Sequence, residues 1–203
     1  MKQGFVKVAS ATPRIRVADP VYNAQVICEQ AKEAAEHGAK IVVFPELCIT
    51  GYTCNDLFLQ ELLLEKAKEA LLTIAEETGQ LETLFLVGLP VDKDGRLYNV
   101  AAVLYRGRIL GMIPKKNIPM YAEFYEGRHF TPGEETVTEY RLGKQVIPFG
   151  SNLLFRCEEL PELILGCELC EDLWVAEPPS TSHALMGCLL YTSPSPRDST
   201  SSR

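Results

Sequence analysis

The chain has 203 residues, 46% hydrophobic and 23% charged, with 20 Lys and Arg against 27 Asp and Glu and a formal net charge of −7. This composition excludes the disordered and fibrous classes, and the acidic balance argues against a nucleic-acid surface, where basic clustering is needed. No apolar run approaches the roughly 20 residues of a membrane span, and no secretory signal is legible after Met1, so a cytoplasmic protein is expected.

The elements follow in chain order. Phe5–Ala9 is rich in β-formers and reads as an opening strand. Asp19-Pro20 is an N-cap followed by Pro at the first helical position, and Gly38 is the stop. Val26, Ile27, Ala31, Ala34 and Ala35 supply the apolar stripe of that helix. Ile41-Val42-Val43-Phe44 is an unbroken apolar run, the pattern of a strand buried on both faces, and it stops at Pro45-Glu46. A second helix is predicted from Asp56 to Thr78, with Leu63, Ala67, Ala70, Leu71 and Ile74 inward.

Leu84–Gly88 is another buried strand, followed by a turn at Asp92–Gly95. Tyr98–Tyr105 and Arg108–Ile113 pair as a hairpin around Arg106-Gly107. Pro114–Gly133 is polar, aromatic and irregular. Val146–Phe149, Leu153–Phe155 and Leu163–Gly166 are short strands, the last running into Cys167-Glu168-Leu169-Cys170. The order predicts an α/β fold with helices layered on a mixed sheet.

Residues 189–203 differ in kind. They are rich in Ser, Thr and Pro and carry too little apolar area to offset their ordering entropy. A disordered tail is expected there, and its abruptness suggests a second expectation, that it is not native.

Sites in layered α/β folds gather where strands end. Here one strand delivers Glu46, a hairpin arm delivers Lys115 or Lys116, and a third delivers Cys170 and Glu171. Taken singly, each is an ordinary residue: a turn carboxylate, a solvated lysine pair, a buried thiol. Cys167 and Cys170 alone could also be half a zinc site or a redox pair, but no second Cys or His pair completes a metal site.

Together they are the parts of covalent acyl transfer. A thiol is mostly protonated at neutral pH and needs a base or a cationic neighbour. A shielded carboxylate can act as that base. A fixed ammonium stabilises the oxyanion formed when sulfur attacks an amide, and the backbone N–H of Glu171 is a second donor. None of His37, His129 and His183 lies beside the thiol in sequence, so a Cys–His pair has no obvious member. Of the seven cysteines, one then serves as nucleophile, and the other six (Cys28, Cys48, Cys54, Cys157, Cys167 and Cys188) are expected to be inert thiols of a reducing compartment.

These residues also carry a resemblance. Val42-Val43-Phe44-Pro45-Glu46-Leu47 with Thr50-Gly51-Tyr52 resembles the glutamate motif of the nitrilase, or carbon–nitrogen hydrolase, superfamily. The run from Pro114-Lys115-Lys116-Asn117 through Tyr121-Ala122-Glu123-Phe124-Tyr125-Glu126 resembles the lysine loop of the glutaminase domain of glutamine-dependent NAD⁺ synthetases. Glu168-Leu169-Cys170-Glu171-Asp172-Leu173-Trp174 resembles the cysteine motif of the same domain.

The resemblance implies a nitrilase-type αββα sandwich that pairs into homo-oligomers. It implies Glu46 as general base, Lys115 as oxyanion stabiliser and Cys170 as the nucleophile that forms a γ-glutamyl thioester. Tyr121, Glu126 and Glu171 are implied as substrate-binding: Tyr121 and Glu126 resemble the family's substrate-side and second-carboxylate residues, and Glu171 the position that helps hold the glutamine. No metal or cofactor is implied for this half. ATP and Mg would serve a synthetase domain that receives the ammonia and makes NAD⁺. No Ser-Gly-Gly-x-Asp pyrophosphate pattern occurs in the chain. Residues 1–188 are therefore expected to form a partial hydrolase domain, incomplete at its C-terminus. Two alternatives stay open: a free-standing amidase or nitrilase acting on another amide, and a catalytically inactive fragment.

Overall fold

The computed structural model describes residues 5–192. The chain runs β1 (Val8–Ser10), α1 (Pro20–Glu36), β2 (Ile41–Val43), α2 (Glu61–Glu77), β3 (Leu84–Lys93), β4 (Arg96–Tyr105), β5 (Arg108–Pro114), β6 (Thr138–Leu142), β7 (Gln145–Phe149), β8 (Leu154–Arg156), β9 (Ile164–Cys167), α3 (Pro179–Leu185) and β10 (Leu190–Thr192). Three 3₁₀ segments, Tyr52–Leu59, Glu126–Arg128 and Cys170–Trp174, lie in the connections.

Seven strands form one sheet in the order β1-β2-β3-β4-β5-β7-β6, and three form a second in the order β10-β9-β8. The central strands are buried on both faces, as their unbroken apolar runs require. Alternation then sorts their side chains between two cores. Val42, Phe85, Val87, Leu89, Val100, Ala102 and Leu104 pack under α1 and α2. Ile41, Leu86, Ala101, Val103 and Ile113 point the other way, against Leu165 and Cys167 of the second sheet. Gly166, between those two, faces outward: a Cβ there would sit 2.7 Å from the His183 ring of α3. The layers are thus helices, sheet, sheet and a short helix, the αββα sandwich expected.

Several boundaries differ from expectation for local reasons. The opening strand is Val8–Ser10 rather than Phe5–Ala9, because it pairs in parallel with Ile41–Val43 only there. The first helix begins as read, with the Asp19 side chain accepting the Tyr22 N–H at 3.1 Å. Its buried face centres on Ala24, Ile27, Cys28 and Ala31. The second helix starts at Glu61, not Asp56. The residues before it coil as 3₁₀ turns interrupted at Asn55, whose φ of +50° no helix continues through. β3 runs on to Lys93, since Asp94 and Gly95, both at positive φ, make the two-residue hairpin turn themselves.

β6 and α3 were not anticipated. Nor was β10, and here the expected disorder from residue 189 is corrected. Leu190–Thr192 pair in parallel with Leu165–Cys167, and the Thr192 carbonyl accepts the Glu168 N–H at 3.0 Å. Leu190 packs against the inter-sheet core. Residues 193–203, where the rest of the expected tail falls, lie outside the described residues.

Candidate active site

Glu46 sits on the loop that leaves β2. That loop crosses β3 at Gly88, where a Cβ would stand 2.4 Å from the Leu47 nitrogen and 2.7 Å from the Pro45 oxygen. Only glycine permits so close a crossing. The Gly88 carbonyl in turn accepts the Ile49 N–H at 3.1 Å. The glutamate is thereby clamped onto a central strand.

Lys115 follows the last residue of β5. Its N–H donates to the Asn99 carbonyl on β4 at 2.8 Å, and its carbonyl accepts the Gly133 N–H at 2.7 Å. Between these bonds the side chain is wholly buried. Its Nζ lies 2.8 Å from Glu46 Oε1 and 2.8 Å from both carboxylate oxygens of Glu126. The Glu126 carbonyl accepts from His129 and Phe130. Arg128 holds the same loop to Asp56 through two bonds of 2.8 and 3.0 Å.

The cluster is buried and carries two acids for one cation. Burial pushes the Glu46 carboxyl up to about 7; Lys115 pulls it down and Glu126 pushes it further up. Burial alone would lower Lys115, but the two carboxylates outweigh it and hold the ammonium charged. Glu46 Oε1 takes donors from both Lys115 and Asn99, whereas Oε2 has no hydrogen-bond partner among the described residues. Oε2 is therefore the oxygen open to a proton.

Cys170 opens the 3₁₀ segment after β9. Leu169 before it is extended, and Cys170 itself has a φ of +44°, a left-handed conformation costly for any residue with a Cβ. The turn is held by Asp172. Its carboxylate accepts from the Leu169 N–H (3.1 Å), the Asn117 N–H (2.7 Å), the Asn117 side chain (2.9 Å) and the Lys116 N–H (3.4 Å). The residue two places after the cysteine thus grips the two residues after the lysine. At the rim, the Tyr121 hydroxyl donates to Glu171 at 2.8 Å, and Tyr121 is 55% exposed.

The structure therefore brings Glu46, Lys115 and Glu126 into direct contact and fastens the Cys170 turn to the lysine loop. Tyr121 and Glu171 meet each other at the edge. Lys116 is outside the cluster and pairs with Glu135. Among the described residues no group of His, Cys, Asp and Glu could hold a metal ion. Three of the other thiols are poor nucleophiles on their surroundings: burial pushes Cys48 and Cys167 up to about 12 and Cys28 up to about 11.

Three functional residues had no role assigned from the sequence. Tyr52 donates to Glu126 at 2.8 Å, and burial keeps its hydroxyl protonated. Asp172 makes the loop tie. Asn99 bonds Glu46 at 2.5 Å. Asn99 did leave a signal, as one amide inside the otherwise apolar run Val100–Leu104 and its flank.

The family model for carbon-nitrogen hydrolases matches residues 7–201. The chain belongs to the carbon–nitrogen hydrolase family. It is 40% identical over 186 residues to the glutamine-dependent NAD(+) synthetase of Mycobacterium tuberculosis, covering 92% of this chain and 27% of that protein. The corresponding synthetase of Thermotoga maritima is 32% identical over 91% of this chain and 28% of its own length. Among solved structures, a glutamine-dependent NAD(+) synthetase from Cytophaga hutchinsonii superposes with a TM-score of 0.82 at 28% identity, over 94% of this chain and 30% of that one. An amidase of the nitrilase superfamily from Nesterenkonia shares the fold, with a TM-score of 0.70 at 22% identity over 94% of this chain and 64% of that one. This hydrolase chain spans little more than a quarter of the synthetases it matches. No described helix is long and apolar enough to cross a membrane.

Proposed function

We propose that this carbon–nitrogen hydrolase chain cleaves the side-chain amide of glutamine through a thioester on Cys170. The observation that carries the reading is the buried Glu46–Lys115–Glu126 cluster, with its lysine loop bonded through Asp172 to the cysteine turn. The likeness to glutamine-dependent NAD(+) synthetases supports glutamine as the amide.

The steps assign one task to each group. The Cys170 thiol gives its proton to Glu46 Oε2, and the sulfur attacks the amide carbon. The oxyanion is stabilised by the Lys115 ammonium and the Glu171 backbone N–H. The carbon–nitrogen bond breaks, and Glu46 returns its proton to the leaving nitrogen, which departs as ammonia. Water then adds to the thioester, giving Glu46 a proton. Glutamate leaves, and the sulfur recovers the proton as a thiol. Glu126 keeps Lys115 charged throughout. Tyr121 and Glu171, at the rim, contact the amino-acid end of glutamine.

In the same reading, the ammonia passes to a synthetase domain that uses ATP and Mg to form NAD⁺, and the hydrolase unit pairs with further copies of itself in the cytoplasm. The hydrolase step needs no metal.

The test is ammonia and glutamate release from glutamine, with a glutamine-like electrophile and mass spectrometry to locate the adduct. Label on Cys170, protection by glutamine, and loss of turnover in Cys170→Ala are expected. Turnover that survives Cys170→Ala would overturn the nucleophile. Faster cleavage of a simple aliphatic amide than of glutamine would overturn the substrate.

A further inference from the structure

Asn99 is fully buried on β4, and its backbone and side chain serve different members of the site. Its carbonyl accepts the Lys115 N–H at 2.8 Å. Its side-chain nitrogen donates to Glu46 Oε1 at 2.5 Å and reaches Glu126 Oε2 at 3.5 Å. The amide orientation follows from chemistry: both neighbours are carboxylates, so the flipped amide would aim a carbonyl at two acceptors. The remaining amide oxygen is buried with no hydrogen-bond partner among the described residues. Leaving such an atom unsatisfied is costly, so the amide is not a packing choice. An apolar side chain of similar size would fill the position without that cost.

We infer that Asn99 is a positioning residue for Glu46: it holds Oε1 and so leaves Oε2 as the oxygen that receives the Cys170 proton. This rests on the reading of Glu46 as the base. The bond also favours the ionised carboxylate, against the burial that disfavours it. Among the described residues, the charged groups that act on Glu46 are Lys115 from the end of β5 and Glu126 from the lysine loop; Tyr52 from the first 3₁₀ segment bonds Glu126 and interacts with both Glu46 and Cys170 of the cysteine turn. None of these replaces the amide, because Lys115 already bonds the same Oε1 and Tyr52 is spent on Glu126.

The test compares the full chain with Asn99→Leu, reading kcat/KM for glutamine against pH and following the Glu46 carboxyl by ¹³C NMR. The Glu46 signal is identified by its loss in Glu46→Gln. In Asn99→Leu the acid limb of the profile is expected to move to higher pH. For a rise of about one pH unit, that produces about a five-fold loss at pH 7 that approaches about ten-fold at lower pH and shrinks as the pH is raised. The Glu46 titration should move in the same direction. A loss equal at every pH, with the Glu46 titration unmoved, would overturn the inference and leave Asn99 a structural residue. If Asn99→Leu does not fold, Asn99→Ser, whose hydroxyl is too short to reach Glu46, carries the same two readouts. If Glu46→Gln leaves hydrolysis intact, the base assignment fails instead, and the NMR titration alone decides Asn99.

Discussion

Asp172 accepts two hydrogen bonds from Asn117, one from its backbone at 2.7 Å and one from its side chain at 2.9 Å. The two residues are 55 positions apart. This pair joins the loop that carries the cation to the turn that carries the thiol, and it is the buried link between them, beside the exposed Tyr121–Glu171 bond at the rim.

Asp172→Ala should therefore damage fold and activity together. It strands the Leu169 and Asn117 N–H groups and frees both loops. A stability loss of about 2–4 kcal/mol is expected from unsatisfied buried donors. Urea unfolding measures it, and amide hydrolysis should fall by more than the unfolded fraction explains. Asp172→Asn should recover part of the stability.

The pH dependence follows from Glu46. Its carboxyl is pushed up to about 7 by burial, so hydrolysis by the ionised base should rise as the pH passes through that region. Stability should move the other way. The folded chain holds this proton to about pH 7, while the unfolded chain releases it near the ordinary 4.5. The contribution is thus complete below the ordinary value and lost as the pH rises through the folded one. Unfolding free energies measured at pH 5 and pH 8 should differ less in Glu46→Gln than in the unaltered chain.

Lys115 and Lys116 should separate cleanly. Lys115→Ala leaves two carboxylates buried without their cation, an expected cost of about 3–5 kcal/mol, with hydrolysis down at least about 100-fold. Lys116 pairs with Glu135 near the surface. Lys116→Ala should change stability by no more than about 0.5–1 kcal/mol and leave most of the activity. Equal losses in the two variants would contradict the buried cluster.

The Cys170 backbone offers a thermodynamic check. At a φ of +44°, any residue with a Cβ is strained and glycine is not. Cys170→Gly should therefore be more stable than Cys170→Ala by about 1 kcal/mol, although neither has a sulfur and both should be inactive. Thermal unfolding of the two variants measures the difference.

Features that depend on neighbours along the chain were legible before any contact was known. Asp19-Pro20 placed the start of α1, the stripe from Leu63 to Ile74 placed the inner face of α2, and the apolar runs at Ile41 and Leu84 placed the central strands. The same local order put Glu46, Lys115 and Cys170 at strand ends, and their motifs identified the family. Tertiary structure alone decided which polar groups meet. Asn99 is 53 residues from Glu46, and Lys115 is 69 residues from it. No periodicity encodes contacts at that separation, because hydrophobic patterns report which face is buried and not what a buried polar group touches. The Tyr52–Glu126 bond and the Asp172 tie were hidden for the same reason. So was β10, whose three residues are a strand only because β9 presents a free edge to pair with.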